Sequence, residues 1–428
     1  MVKKYLHSEA ISLLSRLGQL QPFSINAPMV AAASPSDGAL RAIADHLVAS
    51  KKELNKKVNA FLEKLKDTSE KKFTSAAEAQ NSYSILKLRF NDILDQIDIF
   101  SDVISQRSEH ITGAWIAGLD ILASDALLPV NQKYGKTEVM CFLERGHGAA
   151  IRRTRTKLPG GDDNPVAIIQ IPRERMVASG IASSLVHEVG HQGAALLNLV
   201  DSLRQEIHAK TNQVDESLKL PWSLLGKWIS EIVADFWSIA HLGITATHGL
   251  MGVVSLPTYF VFRIKMDDPH PFPWIRVKLS IEFGKYLFPD EQWAQLESIW
   301  KNLYPTDKLE HSKKQIIIQL EKVTSEFVAL VANHDSEALE AKKLMDIFPY
   351  KSRQPPVLRK MYTAVNKNSS VMDAWSPTFL FAVIGQARTD GRIGSNFENQ
   401  LLSKYLTKWA IDRAENRGKN YCNLIKQT

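Results

Sequence analysis

Between residues 179 and 200 the chain reads SGIASSLVHEVGHQGAALLNLV. Apolar residues return at intervals of three and four, the period of a buried helix. Yet the middle of this segment carries His187, Glu188 and His191. Each of those groups costs stability if it is buried without a partner. A fold that contains this helix must therefore bring partners to it, which constrains the chain more than any other feature. Residues 187 and 191 are four apart and share a helical face, so both imidazoles can reach one metal ion. Glu188 stands beside that face. The pattern His-Glu-x-x-His supplies two zinc ligands and a carboxylate able to take a proton from a metal-activated water.

A catalytic zinc takes a third protein ligand and keeps one position for water and substrate. Downstream, LLGKWISEIVADFWSIAHLG places Glu231 and Asp235 four apart on a predicted helix. Glu231 can complete a His, His, Glu set. Asp235, one turn on, can accept the free N–H of a ligating imidazole and so set its tautomer and ring plane.

His187-Glu188-x-x-His191 followed by Glu231-x-x-x-Asp235 resembles the gluzincin, or thermolysin-like, zinc metallopeptidases. The resemblance covers residues 164 to 242. It implies one Zn2+ per chain held by His187, His191 and Glu231, with Asp235 behind a ligand and Glu188 as general base. It also implies a zincin core in which an edge strand before the metal helix pairs with extended substrate. NPVAIIQIP, 164 to 172, is the expected edge strand. The interval from His191 to Glu231 is longer than in thermolysin-like members, so DSLRQEIHAKTNQVDESLKLP must loop out or join the cleft. In that family a His or Tyr beyond the second helix steadies the oxyanion. His270, held between Pro269 and Pro271, is the favoured candidate. Tyr259 is a second candidate, or a packed aromatic. Arg276 either anchors a substrate carbonyl or carboxylate, or forms a structural salt bridge. Gly190, inside the motif, either admits a close backbone or is tolerated at a cost in helix propensity.

The 428 residues exceed one compact core, and the 44% hydrophobic content is that of an ordinary globular chain. Residues 36 to 125 show helical periodicity, with Ser36 or Asp37 as N-cap, and suggest an antiparallel helical hairpin. Near 126 the texture changes to short β-prone runs, KYGKTEVMCFLERG and NPVAIIQIPRE, separated by a dense turn signal. Helical patterns resume near 173, and Pro269, Pro271 and Pro273 make a rigid loop before another helix. The expected fold is α-rich α+β. A helical region, 1–125, precedes a zincin-like core with a small sheet, 126–305, and a helical region, 306–428, follows.

Two cysteines, Cys141 and Cys422, far apart in sequence, argue against a disulfide framework or a Cys-based zinc site. LGITATHGLMGVVSLPTYFVF, 242 to 262, carries no formal charge, but its Gly, Thr, Ser and His content favours a buried element beside a site over a membrane span. A net charge of +7 does not by itself indicate nucleic acid. Arg145, Arg152, Arg153, Arg155 and Lys157 form either a basic rim selecting acidic groups or a solvated loop, without the interleaved aromatics that stack bases. His241 and His248 are expected as satisfied core histidines. No Sec-type signal is evident, so synthesis in the cytoplasm is expected, with non-Sec export or injection as the alternative. The expected activity is zinc-dependent hydrolysis of peptide bonds in a peptide or protein. The alternatives are a helical scaffold with a structural or degenerate zinc site, and a peptidase effector delivered to another cell.

Overall fold

A computed structural model describes residues 1–21, 29–66, 73–145, 149–172 and 179–425. It is α-rich α+β, with long helices around one small sheet. The N-terminal helices are α1 (Val2–Gln19), α2 (Asp37–Lys66) and α3 (Ala76–Ser105). Ser36 caps α2, its Oγ accepting from the Ala39 amide at 3.0 Å. Ser75 caps α3 by accepting from the Glu78 amide, and Glu78 reaches back to the Thr74 amide at 2.6 Å. The start of α2 (Ala39, Ile43, Leu47) packs against the end of α3 (Phe100, Val103, Ile104). Its end (Leu54, Val58, Phe61) meets the start of α3 (Ala79, Tyr83, Leu86). The two helices therefore run antiparallel, as their periodicity predicts, and α1 joins the distal half through Leu6, Ala10, Leu13 and Leu17.

Next come α4 (His110–Ala126) and α5 (Leu128–Tyr134), then β1 (Val139–Glu144), β2 (Ala150–Arg152) and β3 (Ala167–Pro172). The strand order is β1-β3-β2, with β1 parallel and β2 antiparallel to β3. Alternation divides β3 between two cores. Ala167, Ile169 and Ile171 face the large central core, whereas Ile168 faces the α2–α3 hairpin. A strand buried on both faces belongs inside a sheet. The expectation that 164–172 forms the edge strand is therefore corrected: β3 is central, and the free edge belongs to β2. Three residues are too few to show alternation, and the sequence places β2 inside a basic run, so that strand goes unpredicted.

The sheet is tied to α4 by a buried ion pair. Arg107 donates to Asp120 at 2.8 Å and to the Cys141 carbonyl at 2.5 Å, and Asp120 accepts from the Cys141 amide at 2.7 Å. Breaking such a pair by removing one partner costs about 3–5 kcal/mol, because the other charge stays buried.

The helices after the sheet are α6 (Gly180–Leu196), α7 (Leu199–Thr211), α8 (Glu216–Lys227), α9 (Ile229–Leu242), α10 (Ile244–Val254) and the short α11 (Thr258–Val261). They are followed by α12 (Pro273–Leu287), α13 (Gln292–Leu303), α14 (His311–Asn333), α15 (Pro355–Lys367), α16 (Pro377–Thr389) and α17 (Ser395–Ile425). One hydrophobic core runs from Trp115 on α4 through α6, α9 and α12 to Leu406 on α17, taking residues from both sides of position 306. Among the described residues no helix is long and apolar enough to cross a membrane. The uncharged 242–262 stretch becomes α10 and α11, and α10 is a wall of the cleft described next.

Candidate metal centre

The site is built where α6 crosses α9. Gly190 faces the α9 backbone so closely that a Cβ there would lie 2.8 Å from the Ala234 Cα and 2.8 Å from the Trp237 Cβ. Gly193 lies over the Trp237 ring, 2.3 Å from a built Cβ. The Trp237 indole N–H donates to the Ala126 carbonyl at 2.9 Å, which holds the ring in place. Two hydroxyls tie α6 to its neighbours, one to α10 and one to α9. Ser183 Oγ donates to the Ala246 carbonyl at 2.9 Å, and Ser238 Oγ donates to the Ser183 carbonyl at 3.1 Å. With the helices this close, a carboxylate on α9 reaches imidazoles on α6. A close backbone, not mere tolerance, accounts for Gly190.

His187 and His191 project from one face of α6 with ring centroids 4.8 Å apart and planes nearly perpendicular, at 86°. Glu231 bridges them: Oε2 lies 3.4 Å from His187 Nε2, and Oε1 lies 3.4 Å from His191 Nε2. One donor atom from each residue falls within 4.8 Å of the others. Tetrahedral coordination at about 2.0–2.1 Å sets ligand atoms about 3.4 Å apart. The two separations, each to a different carboxylate oxygen, are of that order, and they exceed the ~2.9 Å of a good hydrogen bond. Two imidazoles and one carboxylate suit a divalent first-row ion.

Behind the ligands, Asp235 Oδ1 lies 2.8 Å from His187 Nδ1, so Nε2 is left to face Glu231 and the cleft. Arg276, from α12, pairs with Asp235 in bidentate fashion: Nε to Oδ2 at 2.7 Å and Nη2 to Oδ1 at 2.9 Å. Its Nη2 also approaches Glu231 Oε2 at 3.3 Å. Of the two readings of Arg276, the salt bridge is observed, although the residue also lines the cleft.

These contacts set the protonation states. Burial disfavours a charged His187, but the Asp235 and Glu231 carboxylates outweigh it and push the imidazole up to about 9. Burial likewise opposes ionisation of Glu231, yet hydrogen bonding to His187 and His191 and the Arg276 charge hold it far below the carboxylate range. Asp235 is also lowered, Arg276 and His187 overcoming its burial. Glu188 goes the other way: it is 8% exposed, and burial raises it despite the neighbouring histidines.

A cleft of about 440 Å³ opens on these residues, walled by Ser184, Ser230, Leu250, Val253, His270 and residues 149–151 of the β2 edge. His270 reaches the rim, its Nε2 3.6 Å from Glu231 Oε1, with a side chain 55% exposed. Asp268 orients it by accepting from its amide at 2.9 Å and lying 3.0 Å from its Nδ1. Tyr259 is not brought in. It is 71% exposed on α11, packs edge-on against Phe260 and does not line the cleft. The 201–221 insert neither loops out nor lines the cleft: it folds as α7 and the first part of α8, and its Leu203 and Ile207 join the central core.

His241 is a core histidine, as expected, packed against Trp237 and Phe348. Burial lowers it to about 3 and keeps it neutral. His248 is exposed, not a core residue, because the outer face of α10 turns it away from the protein interior. Of the basic run, Arg153 alone lines the cleft among the described residues.

The sequence reading missed Gln192 and Asp268. Gln192, beside His191, accepts from the Thr154 amide at 2.9 Å and donates to Thr154 Oγ1 at 2.9 Å, fastening the end of β2 to the metal helix. A polar amide on an apolar helix face was the signal available. Asp268, two residues before His270, had the spacing of an Asx-type turn. Comparison of the chain with protein-family models, curated proteins and solved structures returns no match.

Proposed function

We propose that this chain is a zinc-dependent metallopeptidase with a zincin-like core, the ion held by His187, His191 and Glu231. The observation that carries the reading is the pair of 3.4 Å separations from the two Glu231 oxygens to the two imidazoles, with Asp235 fixing His187 from behind. When bound, the ion supplies a Lewis acid for a carbonyl oxygen and acidifies water. Glu188 lines the same cleft as the ligands, and its raised affinity for protons suits a group that takes a proton from water and passes it to a leaving amine. His270, steered by Asp268, is positioned to donate to an oxyanion. Arg276 keeps Asp235 ionised and aligned, and so keeps His187 presenting Nε2.

A scaffold with a purely structural zinc site would close the fourth position with another protein ligand. Among the described residues the cluster offers three donors, beside an open cleft, which favours catalysis. The test is metal analysis and peptide cleavage by wild type and Glu188→Gln. The expected outcome is about one zinc per chain in both proteins, with cleavage reduced at least ~10³-fold in the variant. Equal activity in the two would end the proposal.

A further inference from the structure

The β2 edge carries a feature that zinc hydrolysis does not require. After β2 the backbone is pinned on every side. Asn164, itself buried, donates to the Arg152 and Arg153 carbonyls at 3.3 and 3.1 Å. Thr156 Oγ1 donates to the Arg153 carbonyl at 2.6 Å, and Gln192 holds the Thr154 amide at 2.9 Å. Arg155 takes a left-handed conformation, φ 61°, to complete the turn. A non-glycine residue in that region costs about 1 kcal/mol or more and persists where its surroundings over-determine it. This is not the backbone of a loosely solvated loop.

The turn holds Arg153 at the junction of two cavities. One is the metal cleft. The other, about 850 Å³, lies beyond β2 between the sheet and α3, and includes Arg152 and Lys157 in its lining. The other basic side chains of the cleft are engaged: Arg276 with Asp235 and Glu231, His187 and His191 with Glu231, His270 with Asp268. Arg153 makes no ion pair among the described residues. Lys157, by contrast, is paired with Asp163 at 2.7 Å. The Arg152 and Arg153 carbonyls are satisfied internally, which leaves the Arg153 guanidinium, whose fork matches a carboxylate, to face the cleft.

We propose that Arg153 selects substrates bearing an aspartate or glutamate side chain close to the bond cleaved, on the β2 side of the cleft. This rests on the peptidase reading above, and the test separates the two. Paired peptides differing only in Glu or Gln at one scanned position are offered to wild type, Arg153→Lys, Arg153→Gln and Arg153→Glu. Zinc content and circular dichroism confirm that each variant is folded. A partly exposed arginine–carboxylate contact corresponds to a Glu/Gln ratio in kcat/KM of up to about fivefold at the preferred position. Arg153→Lys retains part of that ratio, Arg153→Gln brings it to about one, and Arg153→Glu takes it below one. Salt diminishes the wild-type ratio. The same peptides, fluorescently labelled, are titrated against Glu188→Gln protein by anisotropy. Cleavage with no Glu preference, or a preference unmoved by Arg153→Glu, overturns the inference while the peptidase stands. Arg153-dependent binding of Glu peptides without cleavage by wild type upholds the inference and overturns the peptidase.

Discussion

A Cβ on Gly190 would lie 2.8 Å from the Cα of Ala234, a distance no real side chain occupies. This contact sets the separation of the two helices that carry the ligands, so the smallest residue of the motif governs the geometry of the largest.

Replacing Gly190 with alanine is expected to force α6 and α9 apart. Overpacking of this kind costs about 1–3 kcal/mol, and the gain in helix propensity, about 1 kcal/mol, offsets only part of it. The expected result is a lower thermal midpoint together with weaker zinc binding in a chelator competition. Unchanged affinity would show that the glycine does not set ligand spacing.

Asp235 holds His187 from one side and Arg276 from the other. Asp235→Asn removes the charge that neutralises a buried guanidinium, and stability is expected to fall by several kcal/mol, on the order of the 3–5 kcal/mol for a broken buried pair. Zinc affinity should drop roughly 10–100-fold, the usual cost of losing a partner behind a ligating imidazole. Denaturant unfolding and zinc titration measure the two effects separately.

In the metal-free protein His187 titrates at about 9, above its unfolded value near 6.5. Its contribution to stability is therefore fully present below pH 6.5 and is lost as pH rises through about 9. A metal ligand must be neutral, so zinc binding at pH 7 has to displace that proton. Calorimetric titrations in buffers of different ionisation enthalpy should report the release of about one proton per ion at pH 7, falling toward zero above pH 9. Zinc binding without proton release at pH 7 would contradict the His187–Asp235 pairing.

Gln192 satisfies both the amide and the hydroxyl of Thr154. Gln192→Ala strands the Thr154 amide, at about 1–3 kcal/mol, and loosens the β2 edge without touching a ligand. The expected kinetic signature is a rise in KM larger than the fall in kcat, with zinc content retained. Equal losses in both would assign Gln192 to the metal centre rather than to the edge strand.

Much of the architecture is legible from periodicity alone. The α2–α3 hairpin, the two β-prone runs and the α6 and α9 helices all follow from apolar content and spacing, because those elements bury their apolar side chains against neighbours. Strand β2 is illegible for the converse reason. Three residues give no period, and the pairing that makes them a strand comes from β3, with partners such as Ile168 for Arg152 and Gln170 for Ala150. The exposure of His248 is equally hidden, since the uncharged α10 does not announce which of its faces meets solvent.

What the amino-acid order determines by itself is the set of candidate ligands. His187 and His191 must share a face, and so must Glu231 and Asp235, because helical pitch is a local property of the backbone. Whether those two faces meet, how far apart they stand, and which strand borders them are decided only in three dimensions. Gly190 against Ala234, Arg276 on Asp235 and Gln192 on Thr154 join segments that lie 38 to 44 residues apart. Contacts of that range depend on how whole elements pack, and no short window of sequence encodes them.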